Sequence, residues 1–259
     1  MKIIISPAKK MRVDEDRLPW RDLPCFLGRA EELLAKLRTM TTGELKALWK
    51  CSDKLVEQNV DRLSAMDLTQ HLTPAILSYE GIQYQYMAPG VFTSEALEYV
   101  QEHLRILSGF YGVVRPFDGV TPYRLEMQAK LNICEAKDLY SYWGDLISEE
   151  IYRETDCVVN LASKEYSLCL SKHLPEGKRL LTCAFVERKG EKLIEKGTLC
   201  KMARGEMVRF MAENRVEQPV ELQKFTGLGY CFSPEHSNET TYTFIKEEEN
   251  NAGSRNEST

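Results

Sequence analysis

From Leu104 to Met127 the chain reads LRILSGFYGVVRPFDGVTPYRLEM, a passage that crowds glycines, three arginines and two carboxylates between two regular elements. Upstream, Leu97, Val100, Leu104 and Leu107 recur at spacings of three and four, which predicts a helix from Thr93, with Thr93 or Ser94 as its cap, to Leu107. Gly109 would end that helix, because glycine reaches left-handed dihedrals without a Cβ penalty, and Gly112 allows a second sharp turn. The expected product is a GxxG hairpin. Such a turn can aim backbone N–H groups at an anion, with Arg105 and Arg115 as flanking clamps for phosphate. A helix C-cap followed by an ordinary turn would use the same residues.

Downstream, Leu125, Met127, Ala129 and Leu131 alternate with polar residues, which predicts a half-buried strand carrying Arg124 and Glu126 on its polar side. Lys2–Ile5 is a short β-branched run expected to be a buried strand. Ser6 and Pro7 then open a turn that leaves Lys9 as an anion contact. Ser6-Pro-Ala-Lys9 also matches the SxxK of serine-lysine acyl enzymes, but the SDN and KTG companions are missing. Helices are expected over 26–37, 42–49 and from the Ser52 cap. Short helical structure is expected over 74–79, and a helix opened by Asp138 should run through Ile147 with Trp143-Gly144-Asp145 inside it.

Cys157–Leu161 reads as a strand, followed by a helix capped by Ser163. Residues 180–186 and 192–194 form an expected hairpin about Lys189-Gly190-Glu191, and late strands are expected over 227–232 and 240–245. The helix from Leu199 to Arg215 gathers Lys201, Arg204, Arg209 and Arg215 on one arc, opposite its apolar side. The fold class is therefore α+β or mixed α/β. We expect a single compact domain over 1–246, with a mixed sheet, several helices and an acidic tail over 247–259.

Seven blocks in order carry a family resemblance: ISPAK from Ile5, SDKL from Ser52, LRxLSGxYGVxRPxD from Leu104, PYRLEM from Pro122, WGD from Trp143, NLASxEY from Asn160 and KxARGxMxRF from Lys201. Together they resemble the YaaA family of bacterial peroxide-stress proteins. The resemblance implies a cytoplasmic protein of hydrogen peroxide resistance, linked to low free intracellular iron. It also implies DNA binding through a helix-hairpin-helix element and a positively charged cleft. Two departures stand out: Ile82 follows Gly81 where the family usually has an aspartate, and the spacing GFYG differs from the GxG common in helix-hairpin-helix turns.

The net charge is −5, of which the last thirteen residues supply −3, so a nucleic-acid site must be a local patch on a mildly acidic body. The eight cysteines contain no CxxC pair and the four histidines no HxxxH, so neither a bound metal nor another cofactor is expected. No segment has the length of a membrane span or the core of a signal peptide. The first functional expectation is double-stranded DNA held without sequence specificity, at Lys9, Arg105, Gly109, Gly112, Arg115, Arg124, Lys201, Arg204 and Arg209. The second is an enzyme acting on a nucleotide or nucleic acid, such as a glycosidic-bond hydrolase. Asp118, Glu126 and Asp145, and also Glu165, supply its carboxylates, and Tyr111, Tyr123, Tyr166 and Tyr230 supply surfaces for a base. A third, an interaction protein without ligand, would leave the arginines dispersed.

Overall fold

In the computed structural model, which describes residues 1–14 and 16–247, the chain forms one α/β domain on an eight-stranded mixed sheet. The expected acidic tail lies outside the described residues, apart from Glu247. Five central strands are mutually parallel, in the order Thr241–Lys246, Arg179–Lys189, Cys157–Leu161, Lys2–Ile5, Leu104–Ser108. Antiparallel strands, Tyr230–Phe232 and Gly112–Val114, close the two edges, and Lys192–Ile194 folds back on Arg179–Lys189. Ile3, Ile4 and Ile5 are fully buried, as a central parallel strand covered on both faces requires.

The connections diverge beside that first strand. The chain passes from Lys2–Ile5 to Leu104–Ser108 on one side, then returns to Cys157–Leu161 on the other and continues outward. In open α/β sheets this divergence leaves a crevice at the carboxyl ends of the two strands, the usual place for a ligand.

Helices appear where apolar stripes predict them: Leu27–Arg38, Thr42–Trp49, Asp53–Ala65, Ser94–His103, Lys164–Ser171 and Gly197–Asn214. Thr41 and Glu44 complete a reciprocal capping box, and the side chains of Thr93 and Asp138 accept from Ala96 N and Ser141 N. Two expectations fail. The helix before Gly109 ends at His103, and Leu104–Ser108 is a strand with every residue buried. The helix opened by Asp138 stops at Trp143, and a second, Leu146–Tyr152, begins after Gly144 and Asp145.

The glycine turn is therefore the bend of a β-hairpin, strand–turn–strand, not a helix-hairpin-helix element. Its glycines serve packing. A Cβ on Gly109 would lie 2.5 Å from the carbonyl oxygen of Leu125, and one on Gly112, at φ +73°, would lie 2.8 Å from the Trp143 ring. Trp143 Nε1 donates to Gly109 O at 3.1 Å, while the backbone N–H groups of Phe110 and Tyr111 donate to Ser108 Oγ. The donors expected to face an anion are thus spent inside the fold.

The segment after Pro122 also departs from expectation. Leu125, Met127, Ala129 and Leu131 are buried in alternation, as a strand would have them, but the stretch pairs with no other strand and is irregular. It lies across the Gly109 turn, as the close approach of Leu125 O shows.

Candidate functional site

The three expected arginine positions of the central stretch divide between two places. Arg105 is the second residue of its strand, Leu104–Ser108, and is buried. Its guanidinium donates to the carbonyls of Gln101, Glu102 and Leu104, the last two at 3.0 and 2.8 Å, and to the Glu154 carboxylate. Arg115 reaches the other oxygen of Glu154 at 2.8 Å and Lys2 reaches Glu154 at 2.9 Å. Although burial alone would raise it, the hydrogen bond from Lys2 and the charge of Arg105 hold the Glu154 carboxyl down at about 2. Arg105 has thus spent its donors on the protein. No local pattern singled out Glu154, because its partners lie far away in the sequence.

Beside this cluster, Arg105, Arg115 and Asp118 line a small cavity of about 260 Å³ with Asp22, Cys25 and Glu150. Burial pushes the Asp118 carboxyl up to about 7, even though Arg115 N donates to it at 2.8 Å. Asp145, the other outlying carboxylate candidate, stands between two short helices and makes no cap hydrogen bond.

Arg124 belongs to a second group. A cavity of about 510 Å³ opens at the carboxyl ends of Lys2–Ile5 and Cys157–Leu161, within the crevice the topology creates. The loop after the first strand brings Ser6, Lys9 and Lys10; the irregular segment brings Tyr123, Arg124 and Glu126; the helix Lys164–Ser171 brings Glu165 and Tyr166; and the long helix brings Lys201 and Arg204. Lys201 and Arg204, three apart, share a helix face. Arg209 does not line the cavity and pairs with Glu213 at 2.8 Å. Sequence reading passed over Tyr84, which also lines it, although it marked the neighbouring Ile82 as a departure.

Ser6 Oγ accepts from Ser163 N at 2.8 Å and stands 3.2 Å from Ser163 Oγ, tying the two strand ends together. Lys9 pairs with Glu126 at 3.3 Å, so the serine and lysine of the SxxK pattern have separate partners. Arg124 also stands 3.3 Å from the same Glu126 oxygen, confirming that the two side chains meet. Glu165 accepts from Gln128 N at 3.2 Å, and burial, then the charge of Glu126, raises its carboxyl above the ordinary range.

Three buried polar atoms in this cavity make no hydrogen bond: Arg124 Nε, Glu126 Oε1 and Arg204 Nε. Only two others, Trp49 Nε1 and Glu187 Oε1, share that state among the described residues. Arg204 is 14% exposed, and its one ion pair is a 3.6 Å approach to half-exposed Glu195. A guanidinium has five donors, so Arg124 and Arg204 are charges taken largely out of water, each with at least its Nε–H left unbonded.

A larger depression, about 930 Å³, lies at the far edge of the sheet, among Leu199, Met202, Tyr230 and Phe232. Its charged lining is balanced, Arg188 and Lys246 against Glu235 and Glu247, with Arg188 paired to Glu247 at 3.0 Å. Among the described residues no group of three His, Cys, Asp or Glu side chains is arranged to hold a metal ion. Nor is any described helix long and apolar enough to cross a membrane.

The family model of peroxide stress protein YaaA matches residues 1–236. The chain belongs to the YaaA peroxide stress protein family. Relatives of this family include a UPF0246 protein of Agathobacter rectalis, 54% identical over 244 residues, covering 94% of this chain and 98% of that one. Another, from Lachnoclostridium phytofermentans, is 53% identical over 250 residues (96% and 98% of the two chains). A third, from Pediococcus pentosaceus, is 50% identical over 248 residues (96% and 99%). The matched residues include both the Arg105 cavity and the strand-end cavity, and the sheet apart from Thr241–Lys246.

Proposed function

We propose that this peroxide stress family member binds DNA in the cytoplasm, with the cavity at the strand ends as its phosphate contact. The observation that carries the reading is the state of Arg124 and Arg204: two largely buried side chains, each with an Nε that makes no hydrogen bond and an ion pair of 3.3 or 3.6 Å, beside the exposed Lys9, Lys10 and Lys201. Phosphate oxygens are the acceptors such a group fits best, through charge-assisted and often bidentate bonds. Phosphate contacts carry no base identity, so binding without sequence specificity follows. Arg105, Gly109 and Gly112 have no part in it, since each is committed within the fold.

The test is duplex binding by fluorescence anisotropy across a salt titration, with wild type and a Lys201→Ala, Arg204→Ala variant. Affinity should fall as salt rises and should drop at least tenfold in the variant. Salt-independent binding, or equal affinity in the variant, overturns the proposal. The lowering of free iron is placed downstream of DNA engagement, not in storage by this chain. Elemental analysis of purified protein should find no stoichiometric iron, and one iron per chain would count against that placement.

A second reading rests on Glu126 and Glu165 sharing the cavity in different surroundings. Glu126 faces Lys9 and Arg124, whereas burial favours the protonated form of Glu165. Such a pair can divide base and acid roles. In hydrolysis of a nucleotide's glycosidic bond, water would bond to the anomeric carbon as its bond to the base nitrogen breaks. Glu126 would take the proton from water and Glu165 would give one to the departing base. Chromatography of free base released from DNA or nucleotide checks this, and activity retained in Glu165→Gln would remove it.

A further inference from the structure

The strand-end cavity is much larger than a phosphate needs, and its remaining walls have a different chemistry. Tyr84, Tyr123 and Tyr166, each almost fully buried, form part of its walls, and Glu126, Glu165 and Gln83 add polar side chains. Tyr84 donates to Ser6 O at 2.9 Å, and the Tyr123 hydroxyl stands within hydrogen-bonding distance of both Tyr79 and Ser108, so these two hydroxyls are tied. Burial raises the hydroxyls of all three, which keeps the rings neutral. A volume of about 510 Å³ suits a small organic ligand.

We infer that the cavity takes one whole nucleoside monophosphate unit, with its phosphate at Arg124, Arg204 and Lys201 and its base and sugar against the tyrosines and carboxylates. The inference rests on the reading that this cavity is the phosphate contact. Glu126 Oε1 lies 3.3 Å from both Lys9 and Arg124 but is hydrogen-bonded to neither, so it can accept from a sugar hydroxyl or a base amino group. Inorganic phosphate would reach the guanidiniums but bring no hydrogen-bond donor to Glu126 Oε1 beyond the two cations already 3.3 Å from it. A nucleotide brings both a phosphate for the guanidiniums and hydroxyl or amino donors for the carboxylate. The unit has two sources, a free nucleotide or a nucleotide turned out of a DNA duplex, and the recognition chemistry is the same for both.

Titration calorimetry of the full chain with deoxyadenosine monophosphate, deoxyadenosine and inorganic phosphate decides the matter. The monophosphate should bind at least tenfold more tightly than either part, with a tenfold or greater loss in Lys201→Ala, an exposed position that leaves the core intact. An Arg204→Met variant with an unchanged circular dichroism spectrum should lose as much. Phosphate binding as tightly as the monophosphate would overturn the nucleotide inference and leave the phosphate-contact reading standing. No binding of any of the three, with duplex affinity unchanged in both variants, would overturn both. A mismatched duplex that binds more tightly than a matched one, and is displaced by the monophosphate, supports the inference with DNA as the source. Monophosphate binding that leaves duplex binding undisturbed supports it with the free nucleotide as the source.

Discussion

Arg204→Met should make the protein more stable while removing its ligand. Arg204 is 14% exposed on the side chain, and its sole ion pair is the 3.6 Å contact with Glu195, itself 54% exposed. A pair with so exposed a partner contributes about 0–1 kcal/mol. Withdrawing a guanidinium from water costs several kcal/mol, and replacing a poorly compensated buried charge by an apolar side chain of similar size is typically neutral or stabilising by about 1–4 kcal/mol. Met keeps much of the aliphatic stem of Arg204, and Glu195, half-exposed, is left in contact with solvent. We expect a gain of about 1 kcal/mol, or roughly 2–4 °C in melting temperature for a chain of this size. Arg105→Met is the control. It leaves the carbonyls of Glu102 and Leu104 without their donor and weakens the Glu154 cluster, at a cost of about 3–5 kcal/mol. Differential scanning calorimetry of both variants separates a charge kept for a ligand from a charge kept for the fold. A drop for Arg204→Met as large as that for Arg105→Met would refute the argument.

Asp118 gives the stability a pH dependence of known sign. Its folded carboxyl sits at about 7 against an ordinary 3.8, so the folded state holds the proton across that window while the unfolded state has lost it. Stability therefore falls as pH rises from about 4 to 7, and Asp118→Asn should flatten that slope and stabilise the protein at pH 8 by no more than about 4 kcal/mol in urea denaturation. An unchanged slope would show that other groups set it. Gly205→Ala would place a Cβ 2.1 Å from the carbonyl oxygen of Gln83, forcing the long helix away from Ile82–Met87. A loss of about 1–3 kcal/mol or more is expected, read as a lowered melting temperature, and a wild-type value would contradict the packing. Burial pushes the thiols of Cys169, Cys183 and Cys200 up to about 12, so in folded protein treated with peroxide, mass spectrometry should find these three still reduced. Their oxidation ahead of exposed Cys134 and Cys231 would contradict that order.

Much of the sheet was legible because its strands are short β-branched or alternating runs. Lys2–Ile5 and Cys157–Leu161 carry that signal alone, and Lys189-Gly190-Glu191 marks the turn between two strands. Leu104–Ser108 was misread for a physical reason. A strand buried on both faces has no alternation, and its leucines continued the stripe of the helix before it. The site was half legible for a similar reason. Residue type shows that Arg105, Arg124 and Arg204 carry charge, but whether their donors are occupied depends on partners such as Glu154, which is 49 residues from Arg105. The alternation about Arg124 and Glu126 did place them together, because burial obeys period two even where no neighbouring strand pairs.

The balance of charge in the cavity limits how DNA can be held there. Lys9, Lys10, Arg124, Lys201 and Arg204 face Glu80, Glu126 and Glu165, so five cations meet three carboxylates. With Glu165 protonated the excess is three, and with it ionised the excess is two. Each phosphate neutralised contributes about −0.9 to the slope of log affinity against log salt, so a duplex engaged at this cavity should give a slope of roughly −2 to −3. The magnitude should be smaller at higher pH, as Glu165 loses its proton. A slope several times steeper would require a long cationic surface, and the cavity would then not be where DNA is held. A slope in the expected range that collapses in Lys201→Ala would tie the salt dependence to this site, since Lys201 is the exposed cation on the same helix face as Arg204.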